Sequence, residues 1–271
     1  MDLLKALIIA IVEGLTEYLP VSSTAHMIFT SSIFGIQEDE FVKMFQVSIQ
    51  FGAILAVVAL YWKKFFNFSN LNFYLKLAVA VLPALLLGYL FDDYIDAILG
   101  KPIPIAVMLV IGGIFLLFID RLFTNQIIDD EKDISFKSAI LIGFWQCMAM
   151  MPGTSRSAAS IIGGMQQKLT RKAAAEFSFF LAVPTMLAVT VYSVFLKKWD
   201  YQGIEQKGYE MLMQGENLKL FLIGNAVAFI VAVIAIRFFI GVLTRFGFKP
   251  WGWYRIVVGL VLIIYFSYFQ A

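Results

Sequence analysis

Charge is scarce in this chain: Asp, Glu, Lys and Arg make up 15% of its 271 residues, against roughly 25% in soluble domains. A polypeptide so poor in charge cannot clothe a globular surface in water, which excludes a soluble domain. The net charge of +2 leaves no basic field of the kind nucleic acid requires, so no nucleic-acid partner is expected. Cysteine is reduced to Cys147, which rules out an internal disulfide and gives no ground for redox chemistry. Histidine occurs once, at His26, so any step that needs an imidazole has one candidate. A cleavable leader is not expected either, because the apolar run Leu7–Val12 is followed by Glu13 and Glu17 in place of small residues.

Apolar residues fill the space that charge leaves: 61% of the chain is hydrophobic, and the mean hydropathy is +0.82. Six segments, about 43–62, 74–91, 103–120, 174–196, 218–243 and 252–269, are long enough to cross a bilayer as helices. Tyr61, Trp62, Tyr74, Trp199, Trp251, Trp253 and Tyr254 mark their ends, as interfacial belts require. Runs of this length argue against a β-barrel, whose strands alternate over about 10 residues. The expected class is an all-α polytopic membrane protein, with residues 1–271 forming a single domain.

Two further apolar runs, about 3–12 and 138–151, cover only half to two-thirds of a bilayer core roughly 30 Å thick. Each leads into a polar island, Glu13–His26 and Pro152–Ser157, and then into another short run, 27–36 and 158–165. That pattern reads as two re-entrant helix–loop–helix pairs, with broken backbone at depth shielded by protein or by a wet cavity. Setting Pro20 against Pro152 places Ser23 opposite Ser155 and Phe45-Gln46 opposite Phe177-Ser178 without a gap. The halves, about 1–120 and 136–271 around a charged linker at about 121–135, then each hold one pair and three spans. Three is odd, so the second half is expected to be inverted relative to the first, with the loops meeting near the midplane. Lysine and arginine concentrate on one side of this layout, among them Lys63, Lys64, Lys76, Arg171, Lys249 and Arg255. That side is therefore expected to be cytoplasmic, with both termini outside.

Ionisable groups at membrane depth are costly, roughly 2.5–3.5 kcal/mol each on insertion scales, so the islands are candidate functional sites. Glu13 and Glu17 stand one helical turn apart on one face. In low dielectric they must share a proton, bind a cation or face an arginine. Oxygen-only ligands suit Mg²⁺ or Ca²⁺. Ser22, Ser23 and Thr24 either cap the helix that follows or hold and attack a phosphate at its N-terminus. His26 is either the acid–base group or a residue of the membrane interface. Gly153 allows a tight turn, and Thr154, Ser155 and Ser157 supply hydroxyls and N–H groups. Arg156, isolated among apolar neighbours, either grips phosphate oxygens or pairs with Glu17. Two carboxylates, a serine and an arginine make a kit for metal-assisted phosphoryl transfer. Broken helices and inverted repeats are equally expected of a transporter or lipid flippase, which is the alternative.

The stretch Glu13-Gly-Leu-Thr-Glu-Tyr-Leu-Pro-Val-Ser-Ser-Thr-Ala-His26, with Pro152-Gly-Thr-Ser-Arg-Ser157 and Glu176-Phe-Ser-Phe-Phe-Leu-Ala-Val-Pro184, resembles the undecaprenyl pyrophosphate phosphatases, also called bacitracin-resistance proteins. Ala25 and Ala158 stand where that family commonly has glycine, and Ser160 where it has threonine, small changes that leave the phosphate-handling groups intact. The resemblance implies a phosphatase in the bacterial inner membrane. It would remove the terminal phosphate of an isoprenyl diphosphate lipid at a site open to the extracytoplasmic side, with a divalent cation. Carried over by position, Glu13 and Glu17 would hold the cation, and Glu17, Ser23, His26 and Arg156 would be catalytic. Ser22, Thr24, Gly153, Thr154, Ser155, Arg156 and Ser157 would bind substrate. Ser23 is the expected nucleophile, with His26 as proton shuttle or as a rival attacking group. Phe29, Phe51, Phe179 and Phe180 are candidates for a tail groove, although packing is the more ordinary role of each. Membrane lipids surround such a protein, and a homodimer is compatible with it.

Overall fold

The computed structural model describes residues 1–99 and 101–269. The helices in chain order are α1 (Leu3–Thr16), α2 (Ser23–Ile33), α3 (Glu40–Ser48), α4 (Gln50–Leu60), α5 (Trp62–Phe65), α6 (Leu71–Leu90), α7 (Asp92–Leu99), α8 (Pro102–Leu122), α9 (Phe136–Gln146), α10 (Arg156–Gln166), α11 (Arg171–Val191), α12 (Gly208–Leu212), α13 (Asn217–Phe246) and α14 (Lys249–Phe269). Six stretches are long and apolar enough to span a membrane: Glu40–Leu60, Leu71–Leu90, Pro102–Leu122, Arg171–Leu196, Asn217–Phe246 and Lys249–Tyr268. They coincide with the six segments expected from hydropathy to within a few residues at each end.

The two short runs fold as helix–loop–helix pairs. In the first, α1 and α2 have 14 and 11 residues, so they rise only about 21 and 17 Å. In the second, α9 continues as a 3₁₀ turn to Met150, and the chain turns before the 11 residues of α10.

The packing crosses between the halves. Helix α1 lies on α13 while α9 lies on α6; α4 packs on α13 while α11 packs on α6; α4 meets α11, and α8 meets α14. The largest core cluster fills the space between these helices, with Tyr18, Phe177, Phe179, Phe180 and Phe239 fully buried in it. Phe180 stands edge-on to Tyr61, Phe65 and Phe73, and Phe179 edge-on to Tyr18. Phe179 and Phe180 therefore belong to the core and line no tail groove.

Three features escape hydropathy. The first span is broken at Ile49, between α3 and α4. The Gly52 N–H there donates to Asn225 Oδ1 of α13 at 2.8 Å. A Cβ at Gly52 would lie 2.2 Å from the Asn225 carbonyl oxygen, so only glycine lets α4 and α13 approach this closely. Between the fourth and fifth spans the chain forms an antiparallel hairpin of β1 (Lys198–Tyr201) and β2 (Ile204–Lys207), anchored by buried Trp199. The linker is docked: Ile128 bridges to Leu169, and Lys76 Nζ donates to the carbonyls of Glu131 and Lys132 at 3.2 and 2.7 Å.

Candidate active site

Helix α1 delivers Glu13 and Glu17 to the interior, 0% and 6% exposed, because they lie on the face that also buries Ala6, Ile9 and Ala10. The chain then turns through Leu19 and Pro20 into Ser22, the N-cap of α2, whose hydroxyl accepts from Ala25 N at 3.4 Å. The second island repeats the device: Ser155 caps α10 and accepts from Ala158 N at 3.2 Å. Both caps have left-handed backbone, φ 69° at Ser22 and 77° at Ser155. Such φ values are uncommon for residues other than glycine and persist only where the surroundings enforce them. The two loops therefore match at Ser22 and Ser155, which sets Ser23 opposite Arg156. That is one residue away from the correspondence obtained by setting Pro20 against Pro152.

Between the caps the two loops join. Arg156 Nη2 donates to Glu17 Oε1 at 2.6 Å, and Ser23 Oγ donates to Glu17 Oε2 at 2.5 Å. One carboxylate thus binds the arginine with one oxygen and the serine with the other. Arg156 Nη1 turns the opposite way, to Ser178 O at 2.9 Å and Ser178 Oγ at 3.4 Å. Ser160 Oγ lies 2.6 Å from Ser178 Oγ, tying α10 to α11 behind the arginine. Ser157 Oγ donates to Leu19 O at 2.8 Å, a direct stitch from one loop to the other.

Several buried polar atoms here make no hydrogen bond: both carboxylate oxygens of Glu13 (which lies beside Glu17 and Ser23), Arg156 Nε and Thr154 Oγ. Buried polar groups are otherwise almost always paired. Orphaned carboxylate oxygens call for a cation or proton, and an orphaned guanidinium N–H calls for an anion. Among the described residues no group of three or more His, Cys, Asp and Glu could hold a metal ion. The oxygen donors of Glu13 and Glu17 nonetheless fit the way Mg²⁺ is usually held, by one or two carboxylates completed by substrate phosphate and water.

His26 is placed differently from the other candidates. Its Nδ1 lies 2.8 Å from Ser22 O, and its Nε2 2.9 Å from the Tyr254 hydroxyl. The Ser23 hydroxyl donates to Glu17, so the group hydrogen-bonded to the serine is the carboxylate, while the imidazole is bonded to Ser22 O and Tyr254. Thr24 sits half-buried on the first turn of α2. Gly153, at φ 94°, passes so close to α8 that a Cβ would meet Ile105 O at 2.6 Å.

The expectation for Arg255 fails. Counted above among the cytoplasmic surface charges, it is 1% exposed. Its Nη1 donates to Pro20 O at 3.1 Å and Thr154 O at 2.9 Å, and its Nη2 to Gly153 O at 2.7 Å and Met108 O at 3.3 Å. Its Nε donates to Leu109 O at 3.3 Å. The guanidinium fork thus holds the backbones of both loops and of α8 at once, which is why it is drawn inside. The clue lay in the sequence, an arginine set in an apolar run as Arg156 is, but the tryptophans beside it suggested a helix end at the surface. Ser178 and Tyr254 were not among the expected site residues: Tyr254 reads in the sequence as an interfacial-belt residue and Ser178 only as the counterpart of Gln46, because a hydroxyl in an apolar helix carries no signal of its partner.

The family model described as "Bacitracin resistance protein BacA" matches residues 6–261. Among curated proteins, the "Undecaprenyl-diphosphatase" of Porphyromonas gingivalis strain W83 is 50% identical, the match covering 97% of this chain and 96% of that protein. The protein of the same name from Flavobacterium psychrophilum is 52% identical over 97% and 96% of the two chains. That from Campylobacter jejuni serotype O:2 is 44% identical over 98% and 96%.

Proposed function

This chain belongs to the family of the bacitracin resistance protein BacA, and we propose that its two polar loops form the active site of an undecaprenyl-diphosphatase. The chain hydrolyses undecaprenyl diphosphate to undecaprenyl phosphate and inorganic phosphate. The observation that carries the site assignment is the position of Glu17 between Ser23 and Arg156.

The chemistry follows from that arrangement. The terminal phosphate enters at the N-termini of α2 and α10, where free backbone N–H groups favour an anion. Arg156 meets it with Nε, the one guanidinium nitrogen with no partner when Nη2 is bound to Glu17 and Nη1 to Ser178. Glu17 takes the Ser23 proton as Oγ attacks phosphorus, and the bond to the bridging oxygen breaks with its electron pair on the departing undecaprenyl phosphate. Water then hydrolyses the phosphoserine, releasing inorganic phosphate and restoring Ser23. Glu13 and Glu17 would hold the divalent cation, Mg²⁺ or Ca²⁺, which neutralises phosphate charge when bound. Ser22 and Ser155 shape the loops as caps, and Thr154 offers its unpaired hydroxyl to the phosphate.

The two helix–loop–helix pairs are re-entrant in this reading, and the halves form an inverted repeat. The exchange of partners in the packing supports this, as do the matched left-handed caps. The protein lies in the bacterial inner membrane with the site open to the extracytoplasmic side. Phosphate release from undecaprenyl diphosphate by the purified chain, compared between wild type and Ser23→Ala, tests the assignment. Transfer of labelled lipid across vesicles without phosphate release would favour a flippase instead.

A further inference from the structure

The two ring nitrogens of His26 have different partners, and one contact determines the other. A carbonyl oxygen can only accept, so the 2.8 Å contact to Ser22 O places a proton on Nδ1. In the neutral ring Nε2 is then an acceptor, and the Tyr254 hydroxyl, 2.9 Å away, is its donor. The two rings lie within 11° of parallel, with centroids 5.7 Å apart. Tyr254 is 42% exposed, whereas Ser23 and Glu17 are each 6% exposed, so the partner of Nε2 lies at the surface of the bundle while the serine and carboxylate are enclosed.

The neighbour of Tyr254 fixes where its ring sits. Arg255 binds the carbonyls of Pro20, Gly153 and Thr154, so α14 is bolted to both loops one residue further along. Adjacent residues of one helix therefore hold the loop backbones and the only histidine. A phenol suits that second task, because a hydroxyl both donates and accepts. It donates to Nε2 of the neutral ring and, turned about its C–O bond, accepts from Nε2–H of the protonated ring. The Ser22 carbonyl accepts from Nδ1–H in either state.

We propose that Tyr254 is a positioning residue for the hydrolysis, acting through His26: it holds the imidazole as the Nδ1–H tautomer and keeps Nε2 hydrogen-bonded whether or not His26 carries a second proton. This role rests on the phosphatase reading of the site. It leaves two separate hydrogen-bonded pairs at the site, Ser23 with Glu17 and His26 with Tyr254. Phenylalanine at 254 would keep the ring and its packing but lose both halves of the hydroxyl's function.

Because His26 is the only histidine, ¹⁵N-histidine labelling of the full chain in detergent gives one ring to observe. The expected spectrum has a protonated Nδ1 and a hydrogen-bonded, unprotonated Nε2 in the neutral form, and Tyr254→Phe moves Nε2 to the position of an unbonded nitrogen. In phosphate-release assays Tyr254→Phe lowers kcat roughly tenfold, as expected for a hydrogen bond to a group that becomes charged, with KM little changed. Added to His26→Ala it causes no further loss, since residues acting through one another are not additive. A ring protonated on Nε2, an Nε2 signal indifferent to Tyr254→Phe, or losses that simply multiply would overturn the proposal. A wild type that releases no phosphate would refute the phosphatase reading and the role with it, while the nitrogen spectrum would still report the pairing.

Discussion

Glu17 and Arg156, 139 positions apart in the chain, meet through a 2.6 Å contact in which each side chain is less than a tenth exposed. Taking such a pair out of water costs several kcal/mol per ion before their attraction repays it, so burial of this kind is weak evidence for a stabilising role. The carboxylate here also accepts from Ser23, and the guanidinium still has Nε unpaired. A pair built for stability alone would leave no donor open.

Arg156→Lys keeps the charge but loses the planar fork that reaches Glu17 and Ser178 together. The expected outcome is a fall in kcat/KM of about 10²-fold or more, with much of it in KM if Nε holds the phosphate. Steady-state assays across substrate concentration check this.

Arg255→Lys replaces five donors with three on a point charge, which cannot span the carbonyls of Pro20, Gly153, Thr154 and α8. Loosening both loops is expected to lower kcat on the order of 10²-fold, because small misplacements of reacting groups are costly. The apparent Tm in detergent should fall as well. Unchanged kcat would remove Arg255 from the account of the site.

Much of the fold was legible in the chain. Hydropathy located all six long helices, because a span of about 20 apolar residues leaves little freedom in where it begins. Proline and glycine beside Ser23 and Arg156 marked both loops, and the isolation of Arg156 among apolar residues marked its importance. Arg255 was misread because its role depends on carbonyls more than 100 positions away, which periodicity does not encode. The hairpin at 198–207 and the break at Ile49 were hidden for a similar reason: each is fixed by a distant contact, Trp199 in the core and Asn225 against Gly52. His26 was found as a candidate, but its partner Tyr254, on the last helix, was not.

Asn225→Ala removes one of the two acceptors of the Gly52 N–H at the break in the first span, leaving the Ile49 carbonyl. Losing a hydrogen bond whose donor keeps another acceptor costs about 0.5–1.5 kcal/mol, so thermal unfolding should begin slightly earlier with little change in kcat. Lys198→Ala serves as the contrast: its ion pair with Glu205 is mostly exposed, and Tm should not move.

Chelation of divalent cations is expected to lower phosphate release by more than about tenfold, with Mg²⁺ or Ca²⁺ restoring it and Na⁺ failing to do so. Glu13→Gln should raise the cation concentration needed for half-maximal rate, because both Glu13 oxygens are buried without a hydrogen bond. A rate indifferent to chelation and to Glu13→Gln would assign those oxygens to a proton instead.

The most direct test of the central claim is phosphate release from undecaprenyl diphosphate by Glu17→Gln, measured beside wild type at matched, folded protein concentration. Glutamine can still accept from Arg156 but is a far weaker base for the Ser23 proton. A loss of at least about 10²-fold is expected, with helix content and detergent elution unchanged. Retention of more than about a tenth of the wild-type rate would contradict it, since Glu17 could not then be the group that joins the serine to the arginine in the reaction.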